Sequence, residues 1–133
     1  MRGISVLLAS IVCLYAVTAL LPVQAKPQGA TLAPQVIATI PVAASGIAVN
    51  PYTSRICATN YISDTVSVID AGTHAVIKTI PVGDAPLGIA VNPVTNKVYV
   101  ANHNGSAPLS VIDGVTNNVI KNIPVAKNAW GVA

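Results

Sequence analysis

The sequence predicts an all-β fold of repeated four-stranded antiparallel sheets, and three observations carry that prediction. The block GIAVNP begins at Gly46 and again at Gly88, and GVA begins at Gly131, so like segments return after steps of 42 and 43 residues. Within one period lie four short apolar runs separated by turn residues: GIAVN (46–50), RICAT (55–59), TVSVI (65–69) and AVIKTIPV (75–82). That spacing suits antiparallel strands and is too dense in turns for helices. The 133 residues are 53% hydrophobic yet only 4% aromatic, with no Phe, so the core has to be made from Val, Ile, Ala and Leu, a composition that favours strands. A chain of this length holds at most one compact domain.

Taken in order, residues 1–25 differ from the rest. Arg2 precedes the apolar run ISVLLASIVCLYAVTALL, and PVQA closes it with small residues at Val23 and Ala25. This is the pattern of a secretory signal peptide cut after Ala25. The run is also long enough to span a bilayer, which leaves an uncleaved anchor as the alternative. Cys13 lies early in the run behind Val12, which argues against a lipoprotein cleavage site. Removal of the leader leaves Cys57 as the only thiol, with no internal disulfide, and burial is the expected fate of such a residue. Residues 26–35 read as a linker. The repeats occupy 36–133: a final strand of one unit (36–42), whole units at 46–82 and 88–125, and the start of a third at 130–133.

The turns have their own chemistry. In NPYTSR and NPVTNK, Pro51 and Pro93 fix φ at the second turn position, while Asn50 and Asn92 bond their own backbone ahead. Asp70 in DAGTHA and Asp113 in DGVTNN are expected to shape turns in the same way, rather than to catalyse. Length differences between the copies fall in loops, where AAS stands against GDAPL and HNGSAPLS is one residue longer than YISDTVS. A real structural repeat tolerates variation there. Four meandering strands per period match a β-propeller blade, whose faces must be covered by neighbouring blades.

Two longer segments, ICATN with TVSVIDAGTHAVIKTIPV and VYVAN with LSVIDGVTNNVIKNIPV, resemble the YVTN repeat of bacterial and archaeal β-propellers, the YncE-like group. The resemblance covers residues 36–133. The tetrapeptide itself reads Cys57-Ala58-Thr59-Asn60 in one copy and Tyr99-Val100-Ala101-Asn102 in the other. The resemblance implies a closed ring of about seven blades, so about two and a half blades are expected to be a fragment of a longer protein. Assembly of several short chains into one ring is the alternative. Unpaired blade edges make self-association an expected behaviour.

In a four-strand meander the first and third turns share one face of the ring, and the second turn and the blade-to-blade connection share the other. The second face carries YISD, HNGSAP, GDAPL and AKNAW, which vary between copies. Variable loops on a rigid scaffold are where binding groups usually reside. Its candidate ligand-binding residues are Tyr61, Asp84, His103, Asn104 and Trp130, with Lys127 beside them. Covering a strand edge (Tyr61, Trp130) or shaping a turn (Asp84) is the competing role. Asn104-Gly105-Ser106 fits an N-glycosylation acceptor but reads by default as ordinary loop. No catalytic residue, cofactor-binding residue or metal ligand set is expected in the mature chain: it lacks a nucleophile elbow, a phosphate-cradling loop and a His-Cys cluster, and His74 falls on the opposite face from His103.

The function expected is therefore an exported, non-catalytic binding scaffold in the periplasm or at the cell surface, with an unknown protein or polysaccharide as partner. The alternative is part of a propeller enzyme or cofactor-linked subunit, lactonase-like or quinoprotein-associated, whose active residues lie in other blades. Nucleic acid is disfavoured as a partner, because a formal charge of +3 and the dispersed Lys78, Lys97, Lys121 and Lys127 form no basic surface.

Overall fold

Eight strands make up the regular structure of the computed structural model, which describes residues 34–106, 108–126 and 128–133. They are β1 (Ala44–Asn50), β2 (Arg55–Asn60), β3 (Thr65–Asp70), β4 (Val76–Pro81), β5 (Pro86–Asn92), β6 (Lys97–Asn102), β7 (Leu109–Asp113) and β8 (Asn118–Ile123). The expected leader, Cys13, the linker up to residue 33 and Lys127 lie outside the described residues. Two antiparallel sheets form in simple meander order, β1-β2-β3-β4 and β5-β6-β7-β8. The first and last ladders of each sheet are interrupted at matching places, whereas the β2–β3 and β6–β7 ladders run unbroken. The first strand of each sheet carries extra residues between Ala44 and Gly46 and between Pro86 and Ile89, and the fourth carries Ile77 opposite the Val68–Ile69 step and Ile120 opposite the Val111–Ile112 step. Equal bulges at equal repeat positions show that the sequence repeat is also a register repeat. No helix among the described residues is long and apolar enough to cross a membrane.

Alternation along the strands assigns the faces. In β2 and β3, Cys57 pairs with Val68 and Thr59 with Val66, placing these four on one face of the first sheet. In β6 and β7, Val98 pairs with Ile112 and Val100 with Ser110. Cys57, Val66, Val68 and Ile80 form one buried cluster with Val98, Val100 and Ile112, bordered by Val82, Ile89, Val91 and Val119. The core is thus the seam between the sheets, and each sheet lends it one face. It is built from Val and Ile, as the composition requires.

The repeated glycine explains how closely the blades approach. A Cβ on Gly46 would lie 2.3 Å from the carbonyl oxygen of Leu87, and one on Gly88 would lie 2.6 Å from the Cα of Gly131. The inner strand of one blade is therefore in backbone contact with the segment that opens the next. Residues 36–42 and 130–133, expected as strands of the flanking units, pair with no strand among the described residues. Residues 130–133 still lie against Gly88 as Leu87 lies against Gly46, while Ala38, Thr39, Ile40 and Val42 line a cleft on the first sheet with Ile47, Val49, Ile56 and Ile69.

Candidate functional site

Contacts between the turns sort into two faces, as the meander requires. On the first, Asp70 Oδ1 accepts the backbone N–H of Gly72 at 3.0 Å and of Thr73 at 2.9 Å, and its other oxygen pairs with Arg55. Asp113 repeats this with Val115 and Thr116, both at 2.9 Å, and with Lys97. The backbone bond from Thr73, then the Arg55 guanidinium, hold the Asp70 carboxyl down at about 2. Lys97, then the bonds from Thr116 and Val115, hold Asp113 below the ordinary carboxylate range. Both carboxylates are fully engaged in shaping turns. His74 has φ 60°, the position held by Asn117 (φ 53°) in the second blade. It is a turn residue of a type that tolerates left-handed backbone.

The second face contains the site. Asp64 Oδ1 accepts the N–H of Ala85 at 2.7 Å, and its carbonyl accepts that of Val82 at 2.9 Å, which pins the connection between blades to the turn of the first. That connection then receives the turn of the second: His103 N–H donates to Ala85 O at 3.0 Å and Asn104 N–H to Asp84 O at 3.2 Å. Gly105 comes next with φ 81°, so close to Asp84 that a Cβ would lie 2.5 Å from its Oδ2. The backbone angle is what favours glycine at Gly105. The His103 ring lies 4.7 Å from the Trp130 ring with their planes at 60°. Its Nδ1 is buried with no hydrogen-bond partner among the described residues.

These contacts enclose an open cleft of ≈ 360 Å³, lined by His103, Asn104, Gly105, Ser106 and Asn128. Trp130 flanks it through His103 and is 71% exposed. Of the predicted residues, Asp84, His103, Asn104 and Trp130 come together. Tyr61 does not: it occupies the matching turn of the first blade, 40% exposed, and among the described residues no hydrogen bond or ring contact joins it to the other four. Asn128 and Ser106 were missed. Asn128 could have been found by aligning the two connections, since it takes the place of Ala85 and shares its positive φ, 64° against 54°.

Chemically, the cleft presents amide, hydroxyl and imidazole groups beside an exposed indole. Among the described residues no three His, Cys, Asp or Glu side chains gather as a metal set. Cys57 lies in the seam, where burial pushes its thiol up to about 11, so it is not a nucleophile at neutral pH.

No protein-family model matches the chain. Over 50 residues it is 52% identical to the PE-PGRS family protein PE_PGRS18 of Mycobacterium tuberculosis, a match covering 38% of this chain and 11% of that protein. Among solved structures, hydrazine synthase of Kuenenia stuttgartiensis aligns with a TM-score of 0.63 and 27% identity over 77% of this chain and 29% of that one. The β-propeller domain of Cps50 (Swd1) from Myceliophteria thermophila aligns with a TM-score of 0.63 and 11% identity, covering 73% and 31% of the two chains. The WD40 repeats of RRP9 give 0.57 and 17%, covering 65% and 26%. The chain thus spans about a tenth of the curated relative's length and between a quarter and a third of these solved chains. Together with the paired four-stranded meanders, these likenesses establish a partial β-propeller of about two blades.

Proposed function

We propose that this chain belongs to an exported propeller of the YVTN-repeat, YncE-like type that serves as a non-catalytic binding scaffold, holding a protein or polysaccharide on its loop face. The observation that carries this reading is the cleft itself. Four residues from three separate segments converge there (Asp84 of the connection between blades, His103 and Asn104 of the second blade's turn, and Trp130 after β8), on a backbone fixed by hydrogen bonds between the turn and the connection, and they present polar groups beside an exposed aromatic ring. A rigid scaffold with varied loops is a common way to build a binding surface, and likeness to WD40 propellers supports a role in interaction. Export rests on the pattern of residues 1–25, which gives a secreted or periplasmic protein, with anchoring by an uncleaved leader as the alternative.

The immobilised protein should retain the same envelope component in repeated captures and lose it when Asn104→Ala and Trp130→Ala are combined. Retention of nothing, together with turnover of a substrate, would overturn the scaffold reading. Export has a separate check, because cleavage after Ala25 gives a mature chain whose first residue is Lys26.

A second reading has one observation in its favour. The 27% identity with a hydrazine synthase chain supports membership of a larger enzyme or cofactor-linked assembly, lactonase-like or quinoprotein-associated, with the reactive groups on other blades. Co-purification of the native protein with a chromophoric cofactor subunit would select it.

A further inference from the structure

We infer that the face of the first sheet turned away from the second is a docking surface for a three-stranded sheet of the same repeat, to which residues 36–42 supply the fourth strand. The segment VIATIPV (36–42) repeats VIKTIPV (76–82) and VIKNIPV (119–125), which contain the fourth strands β4 and β8. Those two pair with β3 and β7, whereas residues 36–42 pair with no strand among the described residues. One backbone group shows the difference directly. Val82 N–H donates at 2.9 Å to the carbonyl of Asp64, in the turn before β3, but its counterpart Val42 N–H folds back onto the carbonyl of Ile40 at 2.8 Å.

The cleft beside that segment, ≈ 430 Å³ in volume, repeats the core seam position by position on two of its sides. Ile40 and Val42 stand where Ile80 and Val82 stand in the seam. Across from them, Ile47, Val49, Ile56 and Ile69 stand where Ile89, Val91, Val98 and Ile112 do. Cys57, Val66 and Val68, the share of the core that comes from β2 and β3, have no counterpart among the lining residues. Exposure follows from this: Ile47 is 63% and Val49 56% exposed, whereas Ile89 and Val91 are half-buried. A second and third strand set beside residues 36–42 would cover both with the residue types that already fill the core, and apolar burial drives such docking.

The repeat also fixes the register of the occupant. In the first blade Val66 pairs with Ile80, Ser67 with Thr79 and Val68 with Lys78. Transferred to residues 36–42, a third strand of the pattern TVSVID sets its valines against Ile40 and Ala38 and its serine against Thr39, with the valines turned into the cleft. A second copy of this chain fits poorly, because β4 and β8 already hold the fourth-strand place in both of its sheets and would collide with residues 36–42. The fit is to a sheet whose free edge is its third strand. Such a partner offers ladder bonds to the segment and alternate apolar side chains to the cleft, the combination that makes strand addition specific. Loops of the second face take no part in it.

The probe is a synthetic peptide of residues 44–70 with Cys57→Ala, which carries β1, β2 and β3 without a fourth strand. Added to the full chain, it should bind saturably. With Thr39→Cys in the chain and Ser67→Cys in the peptide, oxidation should join positions 39 and 67, as mapped by mass spectrometry. Val66→Cys in the peptide, one residue out of register and on the opposite face, should join far less. Ile47→Asp puts a charge into the cleft and should weaken binding at least about tenfold. Ile47 is exposed in the chain alone, so its substitution leaves the fold intact; Ile62→Asp, also exposed but in a turn of the loop face, should bind as wild type does. Absence of saturable binding overturns the inference. So does equal cross-linking from positions 66 and 67, the mark of unregistered apolar adhesion. If the chain alone dimerises in sedimentation and Ile47→Asp abolishes the dimer, the occupant is a second copy and the three-stranded partner falls.

Discussion

At the end of its second strand the first blade has Thr59-Asn60, whereas the second has Ala101-Asn102. The asparagines do the same work: Asn60 Nδ2 donates to Ser67 Oγ at 3.0 Å and Asn102 Nδ2 to Ser110 Oγ at 2.9 Å, bonds made inside each blade between its second and third strands. The residues before them do not. Thr59 Oγ1 accepts from Gly46 N–H at 2.8 Å and donates to Leu87 O at 3.0 Å, joining the first blade to the second, and Ala101 has no hydroxyl with which to join the second blade to residues 130–133. At this corner the residue that agrees between the copies braces a blade from within, whereas the residue that differs decides whether a hydroxyl joins one blade to the next.

The two seams differ most at their glycines. Gly46→Ala should cost about 3 kcal/mol, near the top of the range for overpacking, because its Cβ would meet the carbonyl of Leu87 in the ladder-bonded strand β5. Gly88→Ala meets Gly131 in a segment without ladder bonds, which can shift, so its cost should be about 1 kcal/mol. Urea midpoints measure both, and equal shifts would show that the two approaches are equally rigid.

Next in size is the hydroxyl of Thr59. Thr59→Val keeps the shape but leaves the half-buried N–H of Gly46 and carbonyl of Leu87 without this partner, at a cost of about 1.5 kcal/mol. The reciprocal Ala101→Thr should gain about 0.5 kcal/mol if its hydroxyl reaches the Trp130 carbonyl as Thr59 reaches that of Leu87. A loss in both variants would mean that the seam cannot be transplanted.

The two connections offer a smaller contrast. Ala85 holds φ 54° and Asn128 φ 64°, but alanine is strained in that backbone region where asparagine tolerates it. Ala85→Gly should stabilise by about 0.5 kcal/mol and Asn128→Gly by less, read as melting-temperature shifts.

The smallest effect expected is on acid stability. Both turn aspartates are held below their unfolded value near 3.9. Each therefore contributes stability that is whole above that pH and is lost as pH falls through the folded value, about 2 for Asp70 and lower for Asp113. Asp70→Asn should flatten the fall in stability between about pH 4 and 2. Asp113→Asn should flatten it over a window that extends further into acid. Identical profiles for wild type and both variants would remove the turn carboxylates from the acid response.

Much of this was legible because it is local. The period, the strands at 46–50, 55–59, 65–69 and 75–82, and the turn roles of Asp70 and Asp113 arise from residues that act on neighbours within a few positions. Segments 36–42 and 130–133 resemble strands just as closely yet pair with no strand among the described residues, since pairing depends on what lies alongside. In the site, Asp84, His103, Asn104 and Trp130 were identifiable as residues of varied loops, but not the separation of Tyr61 from them or the place of Asn128 among them.

The sequence alone determined the unit: a four-stranded meander with apolar residues on alternate positions, bounded by Asx and Pro turns, because these are short-range consequences of backbone angles and side-chain alternation. The tertiary structure alone decided the relations between units. It brought Thr59 to a carbonyl 28 residues away, Asn50 to Asn96 across the seam, and His103 between Ala85 and Trp130. Such contacts depend on how two twisted sheets face each other, which no single copy of the repeat encodes.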